Sequence, residues 1–424
     1  MPLAGLLGLG AWGTLAGLAR QAGPVNWPAL GGLLALAWLA LAWAWPARGT
    51  GFGRREERWA TGYGLLFRLA AFLTLPVFDD DLPRYLWDGW QLLSTGQPYD
   101  RAPAEFFGAA QVPPALLPWL GQINYPELPT VYPPPAQALF GLAAAAQPGA
   151  WWPLKLGLLA ADLWLWWRVR QVGGRRASLF YGWCPLGLFE TGVGAHIDVL
   201  AAVFLVEGWF AVRRRRAGPA GLWLGLALAT RPWVLPVVWA LGRRQPARLW
   251  VALGAAWAAG YLPFWLQGSL AEWPTMLRAA AAWEFNSALP GLLGAGLPAP
   301  WPRRLAAVAG LLGWLAWSWR HRNRPGRSTR PEELLGGFWA VAPVVNPWYL
   351  VLLLPWAALR RPAWSVAALV MVPLSYATSL HLGHPLAGPY EHPGWVRPVE
   401  FGVVLAVAWW AGRRRPATPA PAAE

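Results

Sequence analysis

The residues with the clearest capacity for chemistry lie in one short acidic segment, where three successive aspartates precede an arginine, a tyrosine and a fourth aspartate. In a helix that begins here, Asp81, Tyr85 and Asp88 recur at i, i+4 and i+7, so they share one face. Arg84 lies beside them at i+3. A carboxylate on such a face can accept the proton of an attacking hydroxyl, and a nearby guanidinium can compensate developing phosphate charge. Asp80 and Asp81 are therefore candidate general bases.

Helix capping is the alternative explanation for these aspartates. Acidic residues favour helix N-termini, and Pro83 suits a first helical turn. Asp79 is best explained in this way. Because three aspartates in a row exceed what capping requires, we favour a functional role for Asp80 or Asp81. Arg84 has its own alternative, which is to hold the loop as a salt-bridge partner.

A second group of ionisable residues consists of Glu190, His196 and Asp198, at the start of an apolar run that ends at Arg213. Ionisable groups in apolar surroundings are costly and usually functional. For His196 a satisfied interhelical hydrogen bond is an equally good explanation. For Asp198 the position favours function.

Other polar residues fall at breaks in apolar runs. Arg231 lies beside such a break, where a guanidinium can bind a lipid phosphate. Lys155 and Asp162, seven residues apart on one helix, are predicted to form an intramembrane charge pair. The segments 283–287, 346–349 and 390–393, with Glu400 beyond, contain polar residues that could line the same cavity. For each of these segments taken alone, a structural role is a better explanation than a functional one.

The elements that must position these residues are predicted from composition. Of the 424 residues, 56% are apolar and 13% are charged. This is more apolar surface than a single core of a soluble protein can bury. Apolar runs, for example 3–19, 27–45, 222–239 and 334–356, approach the ~20 residues that a membrane-crossing helix needs. We therefore expect an all-α polytopic membrane protein. It forms one transmembrane domain over 1–415, with a disordered tail over 416–424.

The net charge of +15 is explained by arginine clusters between apolar runs, near 54–58, 213–216, 243–244, 320–330 and 413–415. Under the positive-inside rule these are cytoplasmic loops, so a nucleic-acid partner is not expected. The segment 79–135 then lies outside as a large first external loop, and 268–290 and 380–397 follow it there. One conflict remains: if 136–149 crosses fully, the arginines at 168–176 fall outside, so either that short run is re-entrant or the rule fails.

Several site types are excluded. Cys184 is the only cysteine, so internal disulfides and cysteine metal cages are ruled out. The chain has no zinc-ligand spacing and no Gly-rich phosphate loop between a strand and a helix. We therefore predict no metal and no cofactor, and a nucleotide-sugar donor or ATP coupling is not supported.

Five motifs follow one another in a fixed order over about 63–401. They are Asp80-Asp81-x-x-Arg84-Tyr85-x-Trp87-Asp88-Gly89, then 124–134, His196-x-Asp198, Trp283-x-Phe285-Asn286 and Asn346-Pro347-Trp348-Tyr349. This order resembles the bacterial GT-C-fold glycosyltransferases, in particular polyprenol-phosphate-mannose-dependent mannosyltransferases and family 87. The sequence departs from the family pattern at three positions. Pro83 replaces a tyrosine, Ile197 replaces the asparagine of a His-Asn-Asp motif, and Arg231 replaces a lysine. The last departure keeps the charge that a phosphate needs.

The resemblance implies a fold with about 10–13 transmembrane helices in the bacterial cytoplasmic (inner) membrane, with the active site facing outside. It implies inverting transfer of a hexose, with mannose preferred, from a polyprenyl-phosphate donor to a glycan or lipid acceptor. The lipid-linked sugar is a cosubstrate, and membrane lipids surround the protein. Asp80 or Asp81 is then the base, and the expected donor-phosphate ligands are Arg84, His196 and Arg231. The expected substrate contacts are Tyr85, Trp87, Asp88, Tyr132, Asp198, Trp283, Asn286, Asn346, Trp348 and Tyr349.

Two rival functions share this composition. A transporter or flippase of lipid-linked sugars predicts internal pseudo-repeats, and none is found in the motifs or charge pattern. A polysaccharide polymerase or ligase predicts a principal external loop late in the chain, rich in arginine and histidine. Here the main loop comes early and is acidic, which favours transfer chemistry.

Overall fold

The computed structural model describes residues 1–20, 26–47, 52–78, 80–294, 300–322, 330–382 and 390–413. Within these ranges the regular structure is helical, apart from an isolated parallel bridge between Phe285 and Val344. The predicted all-α class is confirmed. Asp79, the last two arginines of the cluster at 413–415 and the tail at 416–424 lie outside the described residues.

The first half of the chain contains α1 Pro2–Leu18, α2 Trp27–Ala44, α3 Arg54–Phe72, α4 Asp81–Thr95, α5 Leu117–Leu120, α6 Pro134–Ala146, α7 Trp152–Trp183, α8 Pro185–Gly187, α9 Asp198–Arg213 and α10 Ala217–Thr230. The second half contains α11 Leu235–Gly242, α12 Ala247–Trp265, α13 Trp273–Ala282, α14 Leu289–Gly294, α15 Pro300–Arg322, α16 Pro331–Val341, α17 Leu354–Arg360, α18 Ala363–Met371, α19 Ser379–Leu382 and α20 Val396–Arg413. Short 3₁₀ turns lie at Pro103–Phe106, Pro114–Leu116, Pro232–Val234, Pro347–Leu352 and Val372–Tyr376, and a π-helical turn lies at Leu188–Val193.

By length and hydropathy, α2 is the one helix of the described chain that is clearly able to cross a bilayer. A second candidate arises if Pro185–Val193 and α9 count together as one crossing, although they are bent by 119° at the break. Helices α1 and α10 are apolar but shorter. The expected 10–13 crossings therefore stay a prediction, because breaks divide several apolar runs into helices too short to pass this test.

Two predicted breaks occur where proline interrupts an apolar run. Helix α10 ends at Thr230 and a 3₁₀ turn begins at Pro232, which leaves Arg231 in extended backbone. Helix α16 ends at Val341, since Ala342 is extended and precedes Pro343, and the next turn begins at Pro347. Proline supplies no N–H and disfavours helical backbone at the residue before it, so neither helix continues.

The arginines of α7 form ion pairs with glutamates of α3 and α9 at one end of the helix bundle. Glu57, near the start of α3, pairs with Arg170 and Arg175, while Arg168 pairs with Glu207 near the end of α9. We call this the basic end. Helix α6 has 13 residues and so rises only ~20 Å, less than the ~30 Å of a hydrocarbon core. A helix this short does not cross the bilayer fully. The arginines at 168–176 can therefore lie on the same side as the cluster near 54, as their ion pairs with Glu57 indicate, and this favours the re-entrant alternative for α6.

The predicted pair between Lys155 and Asp162 is wrong. Asp162 instead accepts hydrogen bonds from Arg68 Nε at 2.6 Å and from the Tyr181 hydroxyl at 2.8 Å. Lys155 donates to the carbonyls of Ala71 and Thr74 at the end of α3. Seven residues of helix separate the two charges by ~10 Å along the axis, so partners on the neighbouring helix are closer.

Close packing fixes α4, which carries the acidic segment, against α6. A Cβ at Gly89 would lie 2.2 Å from the carbonyl oxygen of Phe140, so only glycine permits this approach. The Tyr85 ring stacks on the Phe140 ring with centroids 4.6 Å apart. This packing sets the direction of α4 and therefore the position of its acidic first turn.

Candidate active site

The first turn of α4 presents a carboxylate bonded to a phenol. Asp80 occupies the N-cap position and is exposed, while Asp81 begins the helix and is half-buried. The Tyr85 hydroxyl donates to Asp81 Oδ2 at 3.0 Å. This is the i, i+4 neighbour that the sequence predicted. Asp81 also interacts electrostatically with Tyr349, which lies far along the chain.

Arg231 and Asp198 form a bidentate ion pair opposite that turn. Arg231 Nε donates to Asp198 Oδ1 at 2.9 Å, and Nη2 donates to Oδ2 at 2.6 Å. Asp198 is fully buried at the start of α9. The guanidinium lies 5.0 Å from the Trp233 ring centroid and 5.7 Å from that of Tyr349. Because bidentate bonds fix both orientation and charge, this pair is a rigid feature of the site.

An electrostatic interaction between Tyr85 and Arg231 joins the two sets. We refer to Asp81, Tyr85, Asp198, Arg231 and Tyr349 as the central cluster. It places a proton acceptor and a cation from different parts of the chain near each other. That combination can remove a proton from one group while it stabilises negative charge on another.

His196 lies in a buried network beside the central cluster. Its Nδ1 is 3.0 Å from both the carbonyl oxygen and the carboxylate Oε2 of Glu190. Its ring stacks on Trp348 with centroids 3.9 Å apart. Glu190 also accepts a hydrogen bond from the Tyr376 hydroxyl at 3.1 Å. These hydrogen bonds of His196 are local, since Glu190 is only six residues earlier, so the interhelical alternative for His196 stays a prediction. Trp348 links the network to the neighbouring Tyr349.

The break after α16 contributes Asn346 and Tyr349. The Asn346 side chain hydrogen-bonds to the Tyr349 hydroxyl, and both residues lie in or next to one 3₁₀ turn. Val345 N donates to the carbonyl of Phe285 at 2.9 Å, so this break is joined to the segment 283–287. Asn286 is buried there, and its amide donates to both oxygens of Glu400. The segments 283–287 and 346–349 are therefore in contact, and that they line one cavity stays a prediction.

Arg84 is placed in the loop-holding role that was its alternative. Its Nη2 donates to the carbonyls of Tyr125 at 3.2 Å and Leu128 at 2.9 Å. Asp88, fully buried, accepts from the Thr130 hydroxyl and from Gln137 Nε2. Arg84 and Asp88 thus both bind the segment that follows the external helices.

Burial raises the pKa of Asp88 to about 6, although Arg84, Thr130 and Gln137 favour the charged form and partly oppose that rise. Tyr132 is also buried, and its ring packs edge-on to Tyr85 at 4.8 Å. This contact helps to hold the Tyr85 ring in place.

Trp87 lies in the protein interior. It is fully buried, its indole nitrogen donates to Gln91 at 2.8 Å, and its ring contacts Trp90 and Phe106. A side chain in this position has a packing role. Trp283 differs, because 39% of its surface is exposed and its ring contacts Tyr390.

The matched family provides the reaction class. Residues 130–331 match the sequence profile of glycosyltransferase family 87. The match covers somewhat less than half of the chain, and it supports an assignment to the GT-C-like membrane glycosyltransferases. No curated protein and no solved structure was found to match the chain. The resemblance drawn from the motifs is confirmed at the level of the family.

Glycosyltransferases use a sugar donor and an acceptor, so the match supports a glycosyltransferase with these two substrates. Members of the family are membrane enzymes, which agrees with the apolar helix α2. The matched range contains His196, Asp198 and Arg231 but begins after Asp80 and Asp81. The acidic first turn of α4 is joined to these residues by the electrostatic interaction of Tyr85 with Arg231.

A small apolar pocket adjoins the Arg231 guanidinium. Its walls are Trp233, Leu335, Gly336, Phe338, Trp339, Val345, Tyr349, Leu350 and Leu353. Trp233 and Tyr349 belong to both the pocket and the surroundings of the Arg231 guanidinium. One site therefore offers a charge and an apolar surface to the same ligand.

Sequence reasoning gave Glu190 no role, although it was named with His196. A glutamate six residues before a histidine was the available signal, but its partner Tyr376 lies 186 residues away along the chain. Trp348, which stacks on His196, is also far away in sequence. Among the described residues, no group of three or more His, Cys, Asp or Glu side chains could hold a metal. The absence of a metal requirement remains a prediction.

Proposed function

We propose that this family 87 glycosyltransferase transfers a hexose from a polyprenyl-phosphate donor to a hydroxyl of a glycan or lipid acceptor, with inversion. Mannose is the first candidate for the hexose. The observation that supports the proposal best is the central cluster, where the Asp81–Tyr85 pair lies near the Arg231 guanidinium. The donor would be a cosubstrate, with no cofactor required.

In this mechanism the acceptor hydroxyl attacks the anomeric carbon of the donor and its proton passes to Asp81 or Asp80. The new carbon–oxygen bond forms as the bond from the anomeric carbon to the phosphate oxygen breaks. The polyprenyl phosphate departs with that electron pair. Arg231 stabilises the charge on the leaving group, and Asp198 holds the guanidinium in place. The two bonds to Asp198 use Nε and Nη2, so the Nη1 edge can face a phosphate oxygen.

The apolar pocket supports a lipid-linked donor over a nucleotide-linked one. An isoprenoid chain has no polar groups to satisfy, and aromatic and aliphatic walls bind it through burial of apolar area. Because Trp233 and Tyr349 lie both at the guanidinium and in the pocket, phosphate and lipid can bind at once. His196 would contribute a further contact to the phosphate region through its stack on Trp348.

We further propose a multi-pass arrangement in the bacterial inner membrane, with the basic end in the cytoplasm and the first turn of α4 outside. The basic end contains the arginines of α7 and the C-terminal end of α9. Helix α3 runs from this end to the acidic segment, and Arg-rich loops favour the cytoplasmic side.

The test is transfer of radiolabelled mannose from polyprenyl-phosphate-mannose to endogenous acceptors in membranes that contain the parent chain, Asp80→Asn or Asp81→Asn. Asp100→Asn is the matched control, because Asp100 is an exposed aspartate in the same external segment. We expect Asp81→Asn to lose ~10²- to 10⁴-fold of the rate, the range for a general base. Asp100→Asn should match the parent. Full activity in both Asp80→Asn and Asp81→Asn would contradict the mechanism.

The rival functions separate in the same assay. Release of the carrier as a monophosphate, with label in the product, is expected for the transferase. Movement of the labelled lipid across the bilayer without transfer would indicate a flippase. Transfer that requires a diphosphate-linked glycan would indicate a polymerase or ligase.

A further inference from the structure

Two loops rich in arginine lie side by side at the basic end of the bundle. The loop 213–216 joins α9 to α10, and the segment 243–248 joins α11 to the first turn of α12. A Cβ at Gly221 would lie 2.1 Å from the carbonyl oxygen of Leu249, and one at Gly225 would lie 2.5 Å from the carbonyl oxygen four residues further along α12. Helices α10 and α12 therefore run parallel with their first turns level, so the loops that precede them adjoin.

These loops carry seven positive charges that no carboxylate balances. Within the described part of the chain, none of the seven arginines forms an ion pair with a carboxylate. The first turns of α10 and α12 also contain no acidic residue. The neighbouring arginines of α7 differ, because they pair with Glu57 and Glu207. We call the following residues the arginine patch: Arg213, Arg214, Arg215, Arg216, Arg243, Arg244 and Arg248.

The guanidinium groups of the patch are accessible and crowded. All of them are exposed except that of Arg243, which is half-buried. The Arg213 guanidinium lies 4.8 Å from the Trp209 ring centroid, and such stacking leaves its N–H edge able to donate. Partial burial, and then the charge of the neighbouring Arg244, lower the pKa of Arg243. A negatively charged group bound here would offset this repulsion between like charges.

Three indole rings border the patch. Trp250 lies in the first turn of α12, and Trp239 packs against both Trp250 and Trp319, with ring centroids 5.2 Å and 5.5 Å apart. Trp319, near the C-terminal end of α15, is 52% exposed. Leu312 and Leu315 share its face of α15 and are exposed as well. Because tryptophan favours the boundary between hydrocarbon and water, an apolar stripe begins where the arginine patch ends.

An anionic phospholipid is the ligand whose chemistry matches both surfaces. Its phosphate can accept hydrogen bonds from several guanidinium groups, and its acyl chains can lie along the apolar stripe. A zwitterionic headgroup brings a cation of its own, which the arginines repel. A soluble acidic partner would match the charge but would make no contact with the stripe.

We propose that the arginine patch binds the headgroup of an anionic phospholipid from the leaflet at the basic end, with an acyl chain along Trp319, Leu315 and Leu312. The lipid phosphate would bridge the loops that precede α10 and α12. Helix α3 runs between this end of the bundle and the acidic first turn of α4, so the lipid site is separate from the proposed transfer site. It requires membrane residence but no particular donor or acceptor.

The test is native mass spectrometry of the full chain released from detergent micelles, with each probe added in a titration. The lipid probes are dioleoyl phosphatidylglycerol and dioleoyl phosphatidylcholine. Glycerol 3-phosphate supplies the phosphate without acyl chains, and a hexaglutamate peptide represents a soluble acidic partner. The variants are Arg244→Gln with Arg248→Gln, Arg215→Gln with Arg216→Gln on the other loop, and Trp319→Ala.

The matched control is the double variant Arg54→Gln with Arg55→Gln. It also removes two exposed arginines at the basic end, but from a helix turn that contains Glu56 and Glu57. It therefore separates binding at the arginine patch from a general effect of net charge. Because the four arginines changed in the patch are exposed, their variants should unfold at the same temperature as the parent when no lipid is added.

We expect the parent to bind phosphatidylglycerol about tenfold more tightly than phosphatidylcholine. Each arginine pair should weaken phosphatidylglycerol binding by about 25-fold, since one charge near an anionic headgroup contributes about fivefold. Trp319→Ala should weaken both lipids to a similar extent, because it removes an apolar contact and no charge. The control should match the parent.

Three results would overturn the proposal. The first is equal affinity of the parent for the two lipids, or parent-like binding by the arginine variants or by Trp319→Ala. The second is glycerol 3-phosphate bound as tightly as phosphatidylglycerol, which would make the patch a site for a soluble phosphate. The third is binding of hexaglutamate without binding of phosphatidylglycerol, which would make it a surface for an acidic protein segment.

Discussion

At the scale of single residues, the two candidate bases differ in their surroundings although they are adjacent. Asp81 is half-buried, accepts a hydrogen bond from Tyr85 and interacts with Tyr349, whereas Asp80 is exposed and interacts with Tyr125. Asp81 thus lies towards Tyr349 and the Arg231 ion pair, and Asp80 lies towards the first external segment.

The ion pair of Arg231 and Asp198 allows stability to be separated from activity. Arg231→Met leaves the Asp198 carboxylate buried without its partner, so we expect it to cost about 3–5 kcal/mol of stability. Combining it with Asp198→Asn removes the buried charge and should recover most of that loss. Activity should not return, because no guanidinium remains for the phosphate. Thermal unfolding and transfer rates on the same samples test this, and an active double variant would refute the role of Arg231.

The titration of Asp88 predicts a pH dependence of stability. Its pKa is raised from the ordinary 3.8 to about 6 in the folded protein, so between these values the native state retains a proton that the unfolded state loses. Stability should therefore fall as the pH rises from about 4 to about 6, by up to about 3 kcal/mol. Asp88→Asn, which cannot ionise, should flatten this part of the profile of unfolding temperature against pH. An unchanged profile would contradict the assignment.

At the scale of elements, the approach of α4 to α6 controls where the acidic turn lies. Gly89→Ala would place a Cβ 2.2 Å from the Phe140 carbonyl oxygen, and backbone cannot move aside cheaply. We expect a lower unfolding temperature and a loss of transfer together, because α4 must shift. Gly254→Ala is the control, since it is an exposed helical glycine with no atom within 4 Å of its Cβ. It should be neutral or stabilising by up to ~1 kcal/mol.

Helix breaks are the second element-scale feature of the site. Both Arg231 and the segment 346–349 occur where proline ends a helix inside an apolar run. Non-helical backbone at such depth is tolerated where protein or a cavity satisfies its polar groups. The broken helices thereby place Arg231, Asn346 and Tyr349 around one space, which straight helices would not do.

At the scale of the whole molecule, the orientation in the membrane is testable through the one native cysteine. Cys184 is fully buried, so the parent gives a low labelling background. Gln122→Cys, in the first external segment, should react with a membrane-impermeant maleimide on intact cells. Arg214→Cys, at the end of α9, should react only after permeabilisation. The reverse pattern would invert the proposed topology.

The sequence alone determined the local features. Composition predicted an all-helical chain, the spacing of Asp81 and Tyr85 predicted a shared helix face, and the prolines predicted the breaks at Arg231 and Asn346. These predictions hold because helix periodicity and proline geometry act over a few residues. The order of motifs likewise sufficed to recognise the family, since it requires no knowledge of contacts.

The tertiary structure decided which partner each side chain takes. Asp162 pairs with Arg68 and not with Lys155, Trp87 turns inward while Trp283 faces out, and Arg84 holds a loop. Nothing in the spacing of residues along the chain encodes these choices. They depend on which helices pack together and at what depth, and burial then selects the partner that leaves the fewest polar groups unsatisfied.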